Sequence, residues 1–272
     1  MQKKPLVSIY LPTRNRSGVL PLAIGSVLTQ SWPELELIVV DDASDDSTPE
    51  ILQQYSEKRR IKVIRNDEPL GAPASRNRAV TLASGEYVTG IDDDDQFHPD
   101  RIQLLVEAFH TGLSGTCSYD RMEYGNRPLT WNKKRIITPS DLLYYNQVGN
   151  QLLTRRDYFL ESGGFDETLP AAQDYDLWIR LSERYGPIRT VPRVLQTVNM
   201  RKDGSRITHS ERKTEGYTAC FEKHRHKMNE PQIRYQQYRL SLAAGNTSTW
   251  RELLHAVPAP LWLKEIKRKL FL

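Results

Sequence analysis

The sequence predicts an α/β protein with a mostly parallel central sheet flanked by helices. Three observations carry that expectation. Short apolar runs rich in β-formers alternate four times with helix-patterned stretches over roughly the first 95 residues, the rhythm of β–α–β crossovers. Two of the apolar runs end abruptly in acids, at Asp41-Asp42 and at Asp92-Asp93-Asp94-Asp95. Parallel strands end on one edge, and ligands of open α/β sheets collect there, so both acid clusters are expected to line one crevice.

Each element has its own warrant. Residues 6–11 form a short apolar run, ended by the loop Pro12-Thr13-Arg14-Asn15. Leu20, Ile24, Val27 and Leu28 keep helical spacing, Pro21 is tolerable in a first turn, and Ser31-Trp32-Pro33 stops the helix. Residues 35–40 make the second strand. Asp46 or Ser47 can cap the next helix, with Glu50 placed for a capping box. Residues 61–64 make the third strand, 71–82 a helix with Ala79, Val80 and Leu82 inward, and 87–91 the fourth strand.

Farther on, 99–110 reads as a helix, 115–119 as a strand, and 121–147 as loop and short strands. Lys133-Lys134-Arg135 in that region reads as a solvated loop, with acceptor contact as the alternative. Residues 150–154 read as a strand and 157–162 as a short helix. Leu177, Trp178 and Leu181 form the apolar stripe of another helix, with Asp174 and Asp176 at its start, either as caps or as functional acids. Residues 191–198 give one more extended segment.

The four acids at 92–95 directly follow a buried strand, where their mutual repulsion calls for a positive partner. A solvated acidic turn is the plain alternative. A divalent cation with oxygen ligands, Mg²⁺ or Mn²⁺, answers the charge, since such ions take one or two carboxylates plus phosphate oxygens. No G-x-G-x-x-G follows the first strand, which removes the main support for dinucleotide binding.

The net charge of +4 is uneven. From Asn199 onward there are 15 Lys/Arg against 7 Asp/Glu, so the preceding 198 residues are net negative. A basic tail suits an anionic partner such as a membrane face or an acidic acceptor; no nucleic-acid motif accompanies it. The opening Met1-Gln2-Lys3-Lys4-Pro5 lacks a signal-peptide core, which points to the cytoplasm. Cys117 and Cys220 have no ligand spacing and read as buried or free thiols. The composition shift near Asn199 suggests a domain over 1–205 and a basic helical extension over 206–272.

Five stretches in one order resemble the inverting family 2 glycosyltransferases of GT-A fold: Val7–Asn15, Ile38–Thr48, Gly71–Asn77, Gly85–Asp95, and Gly163–Glu167 with Gln173–Trp178. The likeness spans roughly residues 5–200. It implies a nucleotide-sugar donor, a UDP-sugar by preference, a divalent metal, and a glycan or lipid-linked acceptor. Pro12 and Arg14 would frame the nucleotide base, and Asp42 would hydrogen-bond it. Arg76 falls in the third matched stretch as a donor contact. Asp92, Asp93 and Asp94 match the D-x-D motif, with Asp94 the main metal ligand, Asp92 a second ligand, and Asp92 or Asp93 on ribose or metal-bound water. Asp174 matches the catalytic base.

Two departures stand out. Gln173 occupies the position where many relatives carry Glu, which should lower the base's proton affinity. Asp203, with His209 and Arg201 nearby, falls where many relatives place a metal- or diphosphate-binding histidine. A non-catalytic nucleotide-sugar binder would show a damaged acid set, and all the acids are present. A nucleotidyltransferase would need a Gly-rich basic loop where Pro12-Thr13-Arg14-Asn15 stands. In the tail, residues 211–226 and 231–244 read as helices. Residues 256–272 mix Trp, Leu, Ile and Phe with four basic residues, either as an interfacial helix on an anionic membrane or as a helix docked on protein.

Overall fold

The structure is a computed structural model, describing residues 4–56, 60–125, 127–200 and 211–271. The chain runs β1 (Val7–Thr13), α1 (Leu20–Leu28), β2 (Leu35–Asp41), α2 (Thr48–Ser56), β3 (Ile61–Arg65), α3 (Ala72–Thr81) and β4 (Tyr87–Gly90). There follow β5 (Gln96–Phe97), α4 (Arg101–Ala108), β6 (Gly115–Tyr124), β7 (Arg127–Trp131), β8 (Ile136–Ile137) and the single turn α5 (Pro139–Leu142). The remainder is β9 (Thr154–Arg155), α6 (Arg156–Glu161), α7 (Gln173–Tyr185), β10 (Ile188–Asn199), α8 (Glu211–His224), α9 (Glu230–Ala243), α10 (Trp250–Ala256) and α11 (Trp262–Phe271).

Contacts divide the chain into two compact units, the first comprising 1–139, 147–167 and 174–201. Its main sheet has the order β3-β2-β1-β4-β9. The first four strands are parallel and β9 is antiparallel at the edge. β1 is central and wholly buried, which explains its aliphatic run. Leu20, Ala23, Ile24 and Val27 of α1 are fully buried in the same cluster as Ile9, Leu11, Leu37 and Val39. Burying each such Leu, Ile or Val side chain contributes about 1.5–3 kcal/mol. A second sheet, β5-β10-β6-β7, is built on the long parallel pair β6 and β10.

The structure corrects several expectations. β1 continues through Pro12 and Thr13 instead of stopping at Leu11. A proline is tolerated there because β4 is paired with β1 only as far as Tyr10 opposite Gly90, so no neighbour needs the missing N–H. The extended reading of 150–154 shrinks to Thr154–Arg155, with a single bridge between Leu153 and Thr116. Side-chain bonds explain this: Asn150 and Gln151 are held by aspartates rather than by a ladder. The strand from Gly115 runs on to Tyr124 and turns back as β7. Leu82, expected inward, is 49% exposed.

Lys133 is the largest departure, because it is buried rather than solvated. Its Nζ lies 2.6 Å from Asp120 Oδ2, donates to Val148 O at 2.6 Å, and sits over the Trp131 ring. Arg135, two residues on, is exposed as expected.

The second unit comprises 140–146, 168–173 and 202–272. The expected boundary at 205/206 lies outside the described residues. Tyr235, Tyr238, Leu253 and Val257 form its core, with Tyr144, Tyr145 and Ile266 packed against them. Capping boxes at Asn229/Gln232 and Thr249/Glu252 start α9 and α10. α11 is docked on this core. Buried Glu265 accepts from the Tyr235 hydroxyl and from Arg268 Nε, both at 2.6 Å. Lys269 bonds Ser248 O, and Lys264 lies over the Tyr145 ring. Three of the four basic residues of α11 are thus engaged within the unit, and Leu263 stays 66% exposed.

Removing the Lys133 side chain leaves Asp120 charged and buried, which costs about 3–5 kcal/mol. Lys133→Ala is therefore expected to lower the thermal unfolding temperature sharply, while Arg135→Ala changes stability by less than about 0.5 kcal/mol. Equal midpoints for the two variants would show that the buried pair does not support the fold.

Candidate active site

The carboxyl edge of the main sheet carries the acids, and the chain leaves each strand there through a constrained loop. Among the described residues three non-glycines have left-handed backbones: Asn15 after β1, Ala43 after β2, and Ala172 ahead of Asp174 (φ 54°, 55° and 62°). Such conformations are uncommon outside glycine and cluster at functional sites. Asn15 is tied in by its own bonds, donating from its N–H to Ser44 Oγ and accepting from Asp45 N.

The acids after β2 have separate tasks. Asp41 pairs with Arg65 and accepts from Ser44 N. Asp42 is buried, accepting from Asn66 Nδ2 at 2.7 Å and from the N–H groups of Leu70 and Gly71 at 2.8 Å. Burial pushes its pKa up, but those donors outweigh it and hold the carboxyl below its usual range. The Ser75 side chain adds a further hydrogen bond to the same carboxyl. Pro12 ends β1 beside this loop system, and Arg14 is exposed without a hydrogen bond or ion pair among the described residues. Asp46 accepts from Thr48 N at the start of α2 and from Ser17 N.

The four acids after β4 also divide. Asp95 turns inward and is 1% exposed. It accepts from Asn150 Nδ2 (2.8 Å), Gln196 Nε2 (3.1 Å) and Asn199 N (3.0 Å), fixing the acidic turn to β10. Asp92, Asp93 and Asp94 remain partly exposed. Asp92 is clamped: its Oδ1 accepts from Arg76 Nη2 (2.8 Å) and Gln151 Nε2 (3.2 Å), and its Oδ2 from Asn150 Nδ2 (2.9 Å). Burial and the neighbouring acids push Asp93 up to about 7, against the pull of Arg16 3.6 Å away. The adjacent carboxylates of Asp93 and Asp94 offer the oxygen donors that a hard divalent cation takes. Among the described residues no three His, Cys, Asp or Glu side chains could hold one unaided, so further oxygens would come from phosphate or water.

Asp174 lies in the first turn of α7. Burial, aided by the Asp92 charge, pushes its pKa up to about 6, against the Tyr175 N–H and the Arg76 guanidinium. The expected effects of the helix start and of Gln173 on its proton affinity are therefore outweighed by burial. Asp176, two residues on, is not a cap: it is fully buried and pairs with Arg180 at 2.6 Å. Arg180 also donates to Ser162 O and Gly164 O, and Trp178 Nε1 donates to Gly149 O. These bonds anchor α7 and hence its first turn. Arg76 interacts with Asp92 and, through charge, with Asp174 and Tyr10, which brings the predicted acids of β4 and α7 to one place.

Asn150, Gln151, Arg16 and Tyr10 belong to this neighbourhood and were not singled out in the sequence. Their signals are slight: an Asn-Gln pair ahead of Leu152-Leu153, and a tyrosine within an aliphatic strand. Asp203 and His209 lie outside the described residues.

The chain resembles known proteins in both sequence and fold. Residues 8–167 match the model of Glycosyl transferase family 2, and residues 129–237 match that of Glycosyltransferase like family 2. WcaA of Escherichia coli (strain K12), a glycosyl transferase named for colanic acid biosynthesis, is 38% identical over 93% of this chain and 94% of its own length. The chondroitin synthase of Escherichia coli is 30% identical over 71% of this chain, which spans 29% of that longer protein. Among solved structures, S. aureus TarS 1–349 in complex with UDP superimposes with a TM-score of 0.65 at 20% identity, covering 96% of this chain and 78% of that one. The mannosyltransferase PcManGT from Pyrobaculum calidifontis, in complex with GDP-Man and Mn²⁺, gives 0.64 at 19%, covering 99% and 84%. Its fold is that of GT-A glycosyltransferases, and the chain belongs to glycosyl transferase family 2.

Proposed function

We propose that this glycosyltransferase moves a sugar, with inversion, from a UDP-sugar to a hydroxyl of a glycan or lipid-linked acceptor, with Asp174 as general base. The observation that carries the reading is the meeting of Asp92 and Asp174 around Arg76. An acid of the presumptive diphosphate side and an acid able to take a proton near neutral pH thus share one neighbourhood. The donor class is supported by the fold neighbours, which hold UDP, UDP-GlcNAc or GDP-Man. Polysaccharide acceptors are suggested by relatives such as WcaA and TuaG of Bacillus subtilis, named for colanic and teichuronic acid biosynthesis.

The chain's own groups divide the work. Pro12, Arg14 and Asp42 frame the base. Asp94 and Asp93 would hold Mn²⁺ or Mg²⁺, which supplies neutralisation of charge growing on the departing diphosphate. Asp92, clamped by three donors, orients toward ribose or water. Asp174 accepts the proton of the acceptor hydroxyl as that oxygen attacks the anomeric carbon from the face opposite the diphosphate. A single displacement with one base on the far face inverts the configuration.

The charge of the tail suggests a further contact. No helix among the described residues is long and apolar enough to cross a membrane. The exposed Leu263 and Trp262, with Lys267 beside them, offer a small surface on 256–272 for an anionic bilayer.

Asp174→Asn is expected to retain nucleotide binding but to lose transfer by about 10²–10⁴-fold, the usual contribution of a general base. A base with a pKa of about 6 is protonated as pH falls, so wild-type kcat/KM should drop tenfold per unit below about pH 6 and level off above it. Its pKa is raised by folding, so ionised Asp174 disfavours the fold above pH 6; the variant should melt no lower than wild type at pH 8. Unchanged turnover in the variant would remove Asp174 from the reaction.

EDTA should abolish calorimetric binding of UDP, and Mn²⁺ should restore it in wild type but not in Asp94→Ala. Equal affinity with and without metal would contradict the role given to Asp94. Leu263→Asp should reduce co-sedimentation with phosphatidylserine vesicles; binding that matches wild type, or none by either protein, would exclude the membrane contact.

A further inference from the structure

One buried polar atom beside Asp92, Gln151 Oε1, has no hydrogen-bond partner among the described residues. Gln151 is 3% exposed. Its Nε2 donates to Asp92 Oδ1, while its Oε1 makes no hydrogen bond. Charge fixes that orientation, since a flipped amide would set its oxygen against the carboxylate. Tyr10 is also 3% exposed, its ring packed between Phe159 (6.3 Å) and Phe165 (6.0 Å). Its hydroxyl makes no hydrogen bond among the described residues, although Arg76, Asp92 and Asp174 are the charges that act on it. Burial raises its pKa further, so the group is a neutral O–H, able both to donate and to accept.

The two side chains meet over Gly90, which pairs with Tyr10 across β1 and β4. A Cβ at position 90 would collide with the Tyr10 ring and with Gln151 Oε1. The glycine therefore opens the space that both occupy. Buried donors and acceptors are nearly always paired, and an unpaired acceptor at a functional site calls for an explanation. Gln151 bonds Asp92, and Tyr10 feels the charges of both Asp92 and Asp174. On the proposed reading, the reacting sugar sits beside those two acids.

We propose that the Tyr10 hydroxyl and Gln151 Oε1 form a polar seat for neighbouring hydroxyls of the transferred sugar, and so select which sugar the enzyme carries. This rests on the nucleotide-sugar reading given above. A site built to hydrogen-bond a hydroxyl discriminates strongly against a ligand that lacks or misplaces it, because the buried partner is left unsatisfied. Tyr10 is a specificity-determining residue here, and Gln151 both receives the sugar and steadies Asp92.

The test uses the full chain with Mn²⁺ and a probe panel of UDP, GDP, UDP-glucose, UDP-galactose, UDP-N-acetylglucosamine, UDP-glucuronate and GDP-mannose. Wild type is expected to prefer one nucleotide sugar over its epimers. Tyr10→Phe should shrink that preference about tenfold or more, the worth of one good hydrogen bond, without altering the affinity for the nucleoside diphosphate. Its unfolding temperature should not fall, since the hydroxyl removed has no partner in the free protein. An unchanged preference in Tyr10→Phe would overturn the sugar seat while leaving the glycosyltransferase reading intact. So would a loss of nucleoside diphosphate affinity equal to the loss for the nucleotide sugar, which would move Tyr10 to the nucleotide pocket. Failure of wild type to bind any member of the panel would sink the donor reading and this inference with it.

Discussion

The arrangement of the site depends on how Asp92 is held. It is the first of four consecutive acids, and it stands one residue after a buried isoleucine at the end of β4. A partly buried carboxylate in that position needs donors, and Arg76, Asn150 and Gln151 supply them. The donors come from two places: Arg76 from α3, and Asn150 and Gln151 from a segment that gives up strand pairing to reach inward. The clamp therefore joins a helix, a strand end and a loop around one side chain. It also places the Arg76 charge where Asp174 feels it, which moderates the rise in proton affinity that burial imposes on that carboxyl.

Asp95 shows why the run has four acids rather than three. It is useless as an exposed ligand, yet its two oxygens accept from Asn150, from Gln196 and from the backbone of Asn199. The acidic turn is thereby fastened to β10, the strand that organises the second sheet. Charge-assisted bonds of this kind to a buried carboxylate are stronger than neutral ones. The neighbouring Asp93 and Asp94 stay partly exposed on the same turn. Within the run, one acid is buried against β10 and another is clamped by three donors.

Much of the architecture was legible in the residues because it depends on local rules. The alternation of apolar strands and patterned helices through Tyr87 holds, and helix limits such as Ala72–Thr81 lie within one or two residues of expectation. The acids at strand ends were conspicuous for the same reason. What was hidden depends on contacts distant in sequence. Lys133 looked like part of a solvated basic run because its partner, Asp120, lies across the β6–β7 hairpin. Asn150 and Gln151 looked like strand residues because their Asp92 and Asp95 partners are more than fifty positions away. Asp176 looked equivalent to Asp174 in the sequence, yet a helical turn of about 100° per residue puts it inside against Arg180.

The tail makes the same point for charge. Its surplus of basic residues suggested a surface seeking an anion, but a count of charges says nothing of which are already engaged. Arg268 neutralises Glu265, itself buried and held by Tyr235. Lys269 bonds a carbonyl, and Lys264 rests on the face of Tyr145, where the ring quadrupole attracts a cation. Glu265, the single acid of α11, is thus what turns a basic amphipathic segment into a docked helix. Burying a carboxylate in an aromatic core would be unfavourable alone; with a phenol and a guanidinium on its oxygens it fixes the helix's rotation. Among the described side chains of this helix, Trp262, Leu263 and Lys267 are then left on the outside for any contact it makes.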